Sequence, residues 1–257
     1  MRAIMAVMSV RMRREPPRFR VVHVRGVEPL TPCMVRVTFA GSELKGLVVD
    51  QPAASARLLL PSPPTRELVI PTWSGNEFLL PDGQRPVIRT FTPLGSESEL
   101  AFDVVIHDGG IASEWVSVAE TGDPAAVSGP GRGFVVDPAV ERYVLAGDES
   151  AIPAIRQLLD ALAPATAVTV FLDARPEARQ ELSRHPNATV EWTGSLLAAV
   201  RDQEITPRSH VWAAGEAAAM QAIRRHLFEE RSVPRRQATI RGYWKHGSAG
   251  DNDVEGD

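Results

Sequence analysis

A single cysteine, Cys33, stands among 257 residues, which excludes an internal disulfide and any protein-held iron–sulfur cluster or cysteine-based zinc site. Redox chemistry in this chain would therefore need a bound organic cofactor. Long apolar runs are also missing: none approaches the length of a membrane span, and residues 1–10 are too short for one and lack a small-residue cleavage site. The expectation is a soluble, cytoplasmic protein. A basic excess is absent too, since 28 Lys and Arg against 32 Asp and Glu leave a net charge of -4, which argues against a general partner of nucleic acid or of membrane surfaces. The imbalance is local. Arg2, Arg11, Arg13, Arg14, Arg18, Arg20 and Arg25 make the beginning basic, while Asp251, Asp253, Glu255 and Asp257 make the end acidic; these read as two solvated tails or as an edge strand with charged guards.

What is present, 44% hydrophobic residues, supports an ordinary buried core. From Phe19 to about Phe134 the text is strand-like runs at 21–24, 34–39, 56–60, 67–70, 87–91, 100–106 and 124–128, broken by Gly and Pro as in an antiparallel barrel or sandwich. Only 111–121 looks helical in this half. After Asp137 strands alternate with helices: strands at 143–146, 167–172, 189–192 and 210–214, helices at 151–163, 177–183, 195–201 and 216–230. Such alternation predicts a parallel, doubly wound sheet that takes ligands at the carboxyl ends of its strands. The expected division is a basic arm at 1–17, a β-domain at 18–136, an α/β domain at 137–247 and an acidic tail at 248–257.

Two segments carry the chemistry. In Arg89-Thr90-Phe91-Thr92-Pro93 an extended backbone puts Arg89 and Phe91 on one face and the two hydroxyls on the other, which suits a planar, phosphorylated ligand. His107-Asp108-Gly109-Gly110-Ile111-Ala112-Ser113-Glu114-Trp115 is a strand end, a glycine turn and a helix start, where small residues let N–H groups and a hydroxyl approach a diphosphate. A flavin dinucleotide combines both features. For Arg89 a structural salt bridge is the competing reading, because an arginine in an apolar strand must find an anion.

In the second half, Gly147-Asp148-Glu149-Ser150 precedes Pro153 and reads both as a helix cap and as a nucleotide site. Asp173, at the end of the next strand, suits a ribose hydroxyl, and Arg175 and Arg179 suit a 2′-phosphate or simply a solvated face. Gly215-Glu216 forms a second glycine-bearing strand end. Tyr243-Trp244, placed after the last expected strand, reads either as a chain end folded over a ligand plane or as interdomain packing. The run from Ser128 to Phe134 is glycine-rich but precedes the wrong elements for a nucleotide loop, and reads as a junction.

These segments together resemble the siderophore-interacting proteins, the FAD-dependent ferric-siderophore reductases of bacteria, over nearly the whole stretch from Pro17 to Gly247. The marks are 29–37, Arg89 to Thr92, His107 to Trp115, Gly122-Asp123, Gly129-Pro130, Ala146 to Pro153, Trp212 to Glu216 and Tyr243-Trp244. The resemblance implies an N-terminal antiparallel six-stranded FAD-binding β-barrel followed by a Rossmann-like NAD(P)H-binding domain with a parallel sheet, as in ferredoxin reductases. It implies that Arg89, Thr90, Phe91 and Thr92 hold the flavin and its phosphate, with His107, Gly110, Ala112, Ser113 and Trp115 on the diphosphate side. Gly147, Asp148, Glu149, Ser150, Gly215 and Glu216 would meet the nicotinamide nucleotide, joined by Asp173, Arg175 and Trp244. The chain departs from the family at three places: Phe91 replaces a tyrosine and loses its hydroxyl, Pro93-Leu94 replaces Val-Arg and removes an arginine, and Ser150 replaces threonine.

The implied activity passes electrons from NADPH or NADH through bound FAD to Fe(III) in a ferric siderophore, with ferredoxin as an alternative donor, in a monomer. Hard oxygen ligands hold Fe(II) far less tightly than Fe(III), so reduction releases the metal. No side chain need act as acid, base or nucleophile, and no resident metal is expected. An anionic chelate would meet a basic rim, for which Arg57, Arg132, Arg241 and Lys245 are candidates. Two other readings stay open: a general NAD(P)H:flavin or ferredoxin-type electron-transfer reductase, and a non-enzymatic siderophore-binding module on the same fold.

Overall fold

The computed structural model describes residues 18–63, 65–95 and 97–247; the arm at 1–17 and the tail at 248–257 lie outside the described residues. The first half supplies β1 (Arg20–Thr31), β2 (Met34–Ala40), β3 (Ala56–Leu60), β4 (Thr72–Trp73), β5 (Phe78–Leu79), β6 (Val87–Phe91), β7 (Leu94–Gly95), β8 (Leu100–Val105), the short helix α1 (Ile111–Ser117) and β9 (Pro124–Ser128). Six of these strands form one antiparallel sheet in the order β6-β3-β9-β1-β2-β8, with two-residue β7 added at the β8 edge. The sheet curls until its ends meet, so that Phe91 of β6 and Phe102 of β8 lie 5.7 Å apart between ring centroids. Alternation explains the strands: Val22 and Val24 are buried while the intervening His23 and the following Arg25 are exposed.

The second half supplies β10 (Arg142–Asp148), α2 (Ile152–Ala161), β11 (Ala167–Asp173), β12 (Ala188–Trp192), α3 (Leu196–Arg201), β13 (Ser209–Glu216), α4 (Ala217–Arg225) and β14 (Ala238–Trp244). All five strands are parallel, in the order β12-β11-β10-β13-β14. Central β10 and β13 are almost wholly buried because helices cover both faces. Ser195 caps α3 and Glu216 caps α4, each accepting from a first-turn N–H.

Three expectations about elements are corrected. Residues 67–70 form no strand; the β4–β5 hairpin follows them instead. The helix expected at 177–183 is only a turn at Pro176–Ala178, because Arg179 is extended and Arg156 of α2 donates to the Glu181 carbonyl and the Gln180 side chain. Tyr243 and Trp244 do not follow the last strand but end it, since β14 pairs in parallel with β13.

The two sheets are tied together. Met34, Ala53 and Phe134 share one apolar cluster with Tyr143, Ile152, Leu158 and Trp212. Gln157 of α2 accepts from the Ala53 N–H at 2.9 Å and donates to the Pro93 carbonyl at 2.8 Å. An ion triad lies across the same seam: Asp103 on β8 takes both arms of Arg36 on β2, at 2.7 and 2.9 Å, with Arg156 at 3.9 Å. Among the described residues no helix is long and apolar enough to cross a membrane.

His210 on β13 is packed between Phe134 and Tyr143, with Thr239 Oγ1 3.1 Å from its Nε2, and burial lowers its pKa to about 4. Asp137 and the Arg236 backbone oppose that shift. The unfolded chain then takes up a proton as pH falls from about 6.5 to 4 while the folded chain does not, so stability present above pH 6.5 is lost across that window, by about 3 kcal/mol. Burial pushes the Asp148 and Asp173 carboxyls up, which acts in the opposite sense at the acid end. Urea midpoints from pH 7 to 4 should therefore fall less steeply for His210→Gln than for the parent; equal slopes would remove His210 as the cause.

Candidate cofactor and substrate cleft

A cleft of about 1430 Å³ runs between the curled sheet and the carboxyl edge of the parallel sheet. Its first wall is the end of β6. Arg89, Thr90, Phe91 and Thr92 all line it, with Thr90 exposed, Thr92 buried and the Phe91 ring backed by Phe102. Arg89 donates to the Ile88 carbonyl at 2.7 Å and has no carboxylate within ion-pair distance among the described residues, so the salt-bridge reading fails.

The turn between β8 and α1 makes the next wall, where His107, Gly110, Ala112 and Ser113 line the cleft. Ser113 is buried, and its Oγ accepts from the His107 N–H at 3.1 Å and donates to the Val105 carbonyl at 3.3 Å, so it closes the turn. A Cβ on Gly110 would fall 2.6 Å from the His107 ring and 2.9 Å from Ser113 Oγ. Trp115 points elsewhere: it stacks on Phe39 in the core and does not line the cleft. Ser55, Ser128, Gly129 and Gly131 form the floor, where a Cβ on Gly129, at φ 134°, would fall 3.3 Å from Ala56 Cα.

The opposite wall centres on Asp148. Its buried carboxylate accepts from Ser150 N and Oγ, from the Glu216 N–H at 2.8 Å and from the Trp244 indole at 2.8 Å. Four protein donors thus fill it, and they oppose the upward push of burial on its pKa. The carboxylate joins the ends of β10, β13 and β14 and sets the position of Trp244, which is 43% exposed toward the cleft. Gly215 beside it has φ 152°, and a Cβ there would lie 2.5 Å from Asp148 Oδ2. A Cβ on Gly147 would meet the Ala214 carbonyl at 3.0 Å, so that glycine serves strand packing and lies off the cleft surface.

Glu149, Ser150 and Arg175 line the cleft, with Arg175 paired to Glu149 at 3.2 Å. Asp173, Gly215 and Glu216 sit behind that surface, and Arg179 is stacked 5.0 Å from the Trp192 ring centroid. The rim brings together Arg57, Arg132, Arg241 and Lys245. Of these, Arg241 also braces the seam, donating to the Ala53 carbonyl at 2.8 Å and the Gly133 carbonyl at 3.1 Å. Tyr243, whose phenol interacts with Thr92 and Arg241 and whose pKa burial raises, connects the Asp148 wall to the end of β6. Sequence reading missed Asp103 and Gln157; a carboxylate on the core-facing side of β8 was the one local signal for the former.

A β-barrel set against a parallel sheet, with a two-walled cleft between them, is a fold shared with the structure of phthalate dioxygenase reductase, which superposes with a TM-score of 0.60 at 14% identity, over 91% of this chain and 70% of the other. Residues 23–134 match the family described as siderophore-interacting FAD-binding domain, and residues 140–247 match the family described as siderophore-interacting protein. The NADPH-dependent ferric-chelate reductase of Escherichia coli is 31% identical over 88% of this chain and 93% of its own length. Ferric vibriobactin reductase ViuB of Vibrio cholerae is 28% identical, over 83% and 84% respectively. The crystal structure of a siderophore utilization protein from T. fusca superposes with a TM-score of 0.80 at 34% identity, covering 92% of this chain and 97% of the other. The chain belongs to the siderophore-interacting protein family. Its cleft fits FAD: a half-buried arginine without a carboxylate partner, an aromatic ring beside it, and the glycine turn of residues 107–113 opening on the same cleft.

Proposed function

We propose that this protein is an NADPH-dependent ferric-siderophore reductase that holds FAD along Arg89, Thr90, Phe91, Thr92 and the His107–Ser113 turn. FAD held there would supply the conversion of a two-electron donation by a pyridine nucleotide into one-electron steps to Fe(III). The chain's own residues do the rest. Arg89 supplies a fixed positive charge for a phosphate, and Gly110 lets the His107 ring and Ser113 pack into the turn beside it. Asp148 holds Trp244 at the junction of the two walls, and Tyr243 keeps that junction registered on Thr92. Ser150 and Arg175 face the cleft from the carboxyl edge, where a pyridine nucleotide belongs, and Arg175 favours the phosphate of NADPH. Arg57, Arg132 and Lys245 draw an anionic chelate to the rim. The reading is of a monomer in the cytoplasm, the compartment that supplies NADPH.

The observation that carries this reading is that the flavin-type strand and the nucleotide-type strand ends open into one cleft with a cationic rim. The purified protein should be yellow, or turn yellow with FAD. Anaerobic NADPH and an anionic ferric siderophore should then give a ferrous signal with a chelating dye. Flavin bleaching without that signal would reduce the protein to a general flavin reductase. At low salt, Arg57→Glu with Lys245→Glu should raise KM for the anionic chelate about tenfold, and added salt should shrink the difference. Unchanged KM would remove the rim from substrate capture.

A further inference from the structure

A second cavity, of about 520 Å³, opens beside the first at the β14 edge. Four arginines frame it: Arg132 from the loop after β9, Arg224 from the last turn of α4, Arg235 from the turn before β14, and Arg241 from β14 itself. No Asp or Glu is among its lining residues, in a protein whose net charge is -4. Among the described residues, Arg132, Arg235 and Arg241 have no carboxylate within ion-pair distance. Two of the guanidiniums are held in place by neutral acceptors, Arg224 by the Ile240 carbonyl at 2.9 Å and Arg241 by those of Ala53 and Gly133. Arg235 lies over Phe228, 5.0 Å from its centroid. These contacts orient Arg235 and Arg241 without neutralising them.

Converging guanidiniums repel one another, and that repulsion is relieved when an anion desolvates among them. The volume falls within the roughly 300–1,000 Å³ of small-molecule sites and exceeds what a lone phosphate needs. The Phe228 ring and His210 give the cavity an uncharged floor. We propose that this cavity binds a multiply charged oxyanion of the carboxylate or phosphate class, contacted by Arg132, Arg224, Arg235 and Arg241. Because Arg132 and Arg241 also line the main cleft, its occupant and an anionic chelate at the rim compete for the same two charges. The site itself stands on its own geometry; the competition rests on the substrate reading above. The occupant is either a separate polyanion or a free arm of the chelate reaching over from the rim.

The test is calorimetric titration of the FAD-loaded protein with inorganic pyrophosphate and with tricarballylate. Binding of one equivalent is expected, weakened about tenfold or more by Arg235→Gln, partly restored by Arg235→Lys and unchanged by Arg57→Gln. Thermal midpoints monitor folding of each variant. Pyrophosphate should raise KM for the ferric chelate without changing kcat. If neither iron-free probe binds but Arg235→Gln still raises KM for the chelate, the occupant is the chelate's arm and the site stands. The proposal is overturned if binding ignores Arg235→Gln, if it is lost in Arg57→Gln, or if no probe binds and KM is unchanged. A protein that reduces no chelate but binds pyrophosphate through Arg235 would sink the substrate reading and keep this site.

Discussion

FAD is expected to bind the Arg89→Gln variant about ten- to a hundredfold more weakly than the parent, with little change in thermal stability. Arg89 lies opposite Leu58 in the β3–β6 pairing, half-buried, in a strand that otherwise reads apolar. Its hydrogen bond goes to the carbonyl of the residue before it, which any extended donor could reach. A charge so placed gives little to the fold. Toward a phosphate, by contrast, each charge-assisted bond is worth about 1.5–3 kcal/mol, which sets the expected loss. Quenching of flavin fluorescence on titrating the apoprotein measures it. Arg89→Lys should retain part of the affinity, since the charge survives and the planar fork does not. An unchanged dissociation constant, or a large fall in melting temperature, would mean that Arg89 serves the fold instead.

Asp103→Ala should be the most destabilising single change at the seam, by about 3–5 kcal/mol. The Asp103 side chain is fully shielded from water, whereas those of Arg36 and Arg156 keep 32% and 24% of their surface. Deletion leaves two guanidiniums facing each other without the charge that brought them together. Asp103 already offsets the desolvation of both: its bond to Arg36 raises that residue's pKa, while burial outweighs it at Arg156 and lowers the pKa there. Because both guanidiniums retain some water contact, the lower half of the range is expected. In a chain of this size that lowers the melting temperature by roughly 6–16 °C, read by calorimetry. Adding Arg36→Met should restore part of the loss, because it removes one of the stranded charges. A loss below about 1 kcal/mol would place the triad with ordinary surface pairs.

Much of the barrel was legible because its strands alternate with a period of two. Arg89 and Phe91 could be placed on one face before any contact was known, since pleating alone dictates it. The short helix at 111–117 was overextended to 121, because the helical text runs on past Ser117 while Val118 already leaves the helix. Residues 177–183 read as helical by composition, yet Arg156 takes up their acceptors from a helix more than twenty residues away. Strand β14 escaped because Arg241 and Gly242 interrupt its apolar pattern; its place at the β13 edge comes from pairing across the chain. Trp115 was read as part of the ligand turn, whereas its ring stacks on Phe39, a contact no local pattern announces.

The glycine at 215 separates the two levels. Sequence marked a glycine at a strand end, but only the assembled sheet brings Asp148, 68 residues before Glu216, close enough that a Cβ at Gly215 would strike its carboxylate. The same holds for Trp244, 96 residues from the acceptor of its indole proton, and for the arginines of the second cavity. By itself the sequence determined the order of an antiparallel and a parallel sheet, the strand that carries Arg89 and Phe91 and the glycine turn after His107, and the lack of cysteines for a protein-held cluster. These follow from backbone periodicity and residue chemistry, which act over a few residues. Only tertiary structure decided the Asp148 hub, the Asp103 triad, the Gln157 bridge and the shared cationic rim. Each joins groups distant in sequence, and their pairing is fixed by the summed packing of two sheets, which no local pattern encodes.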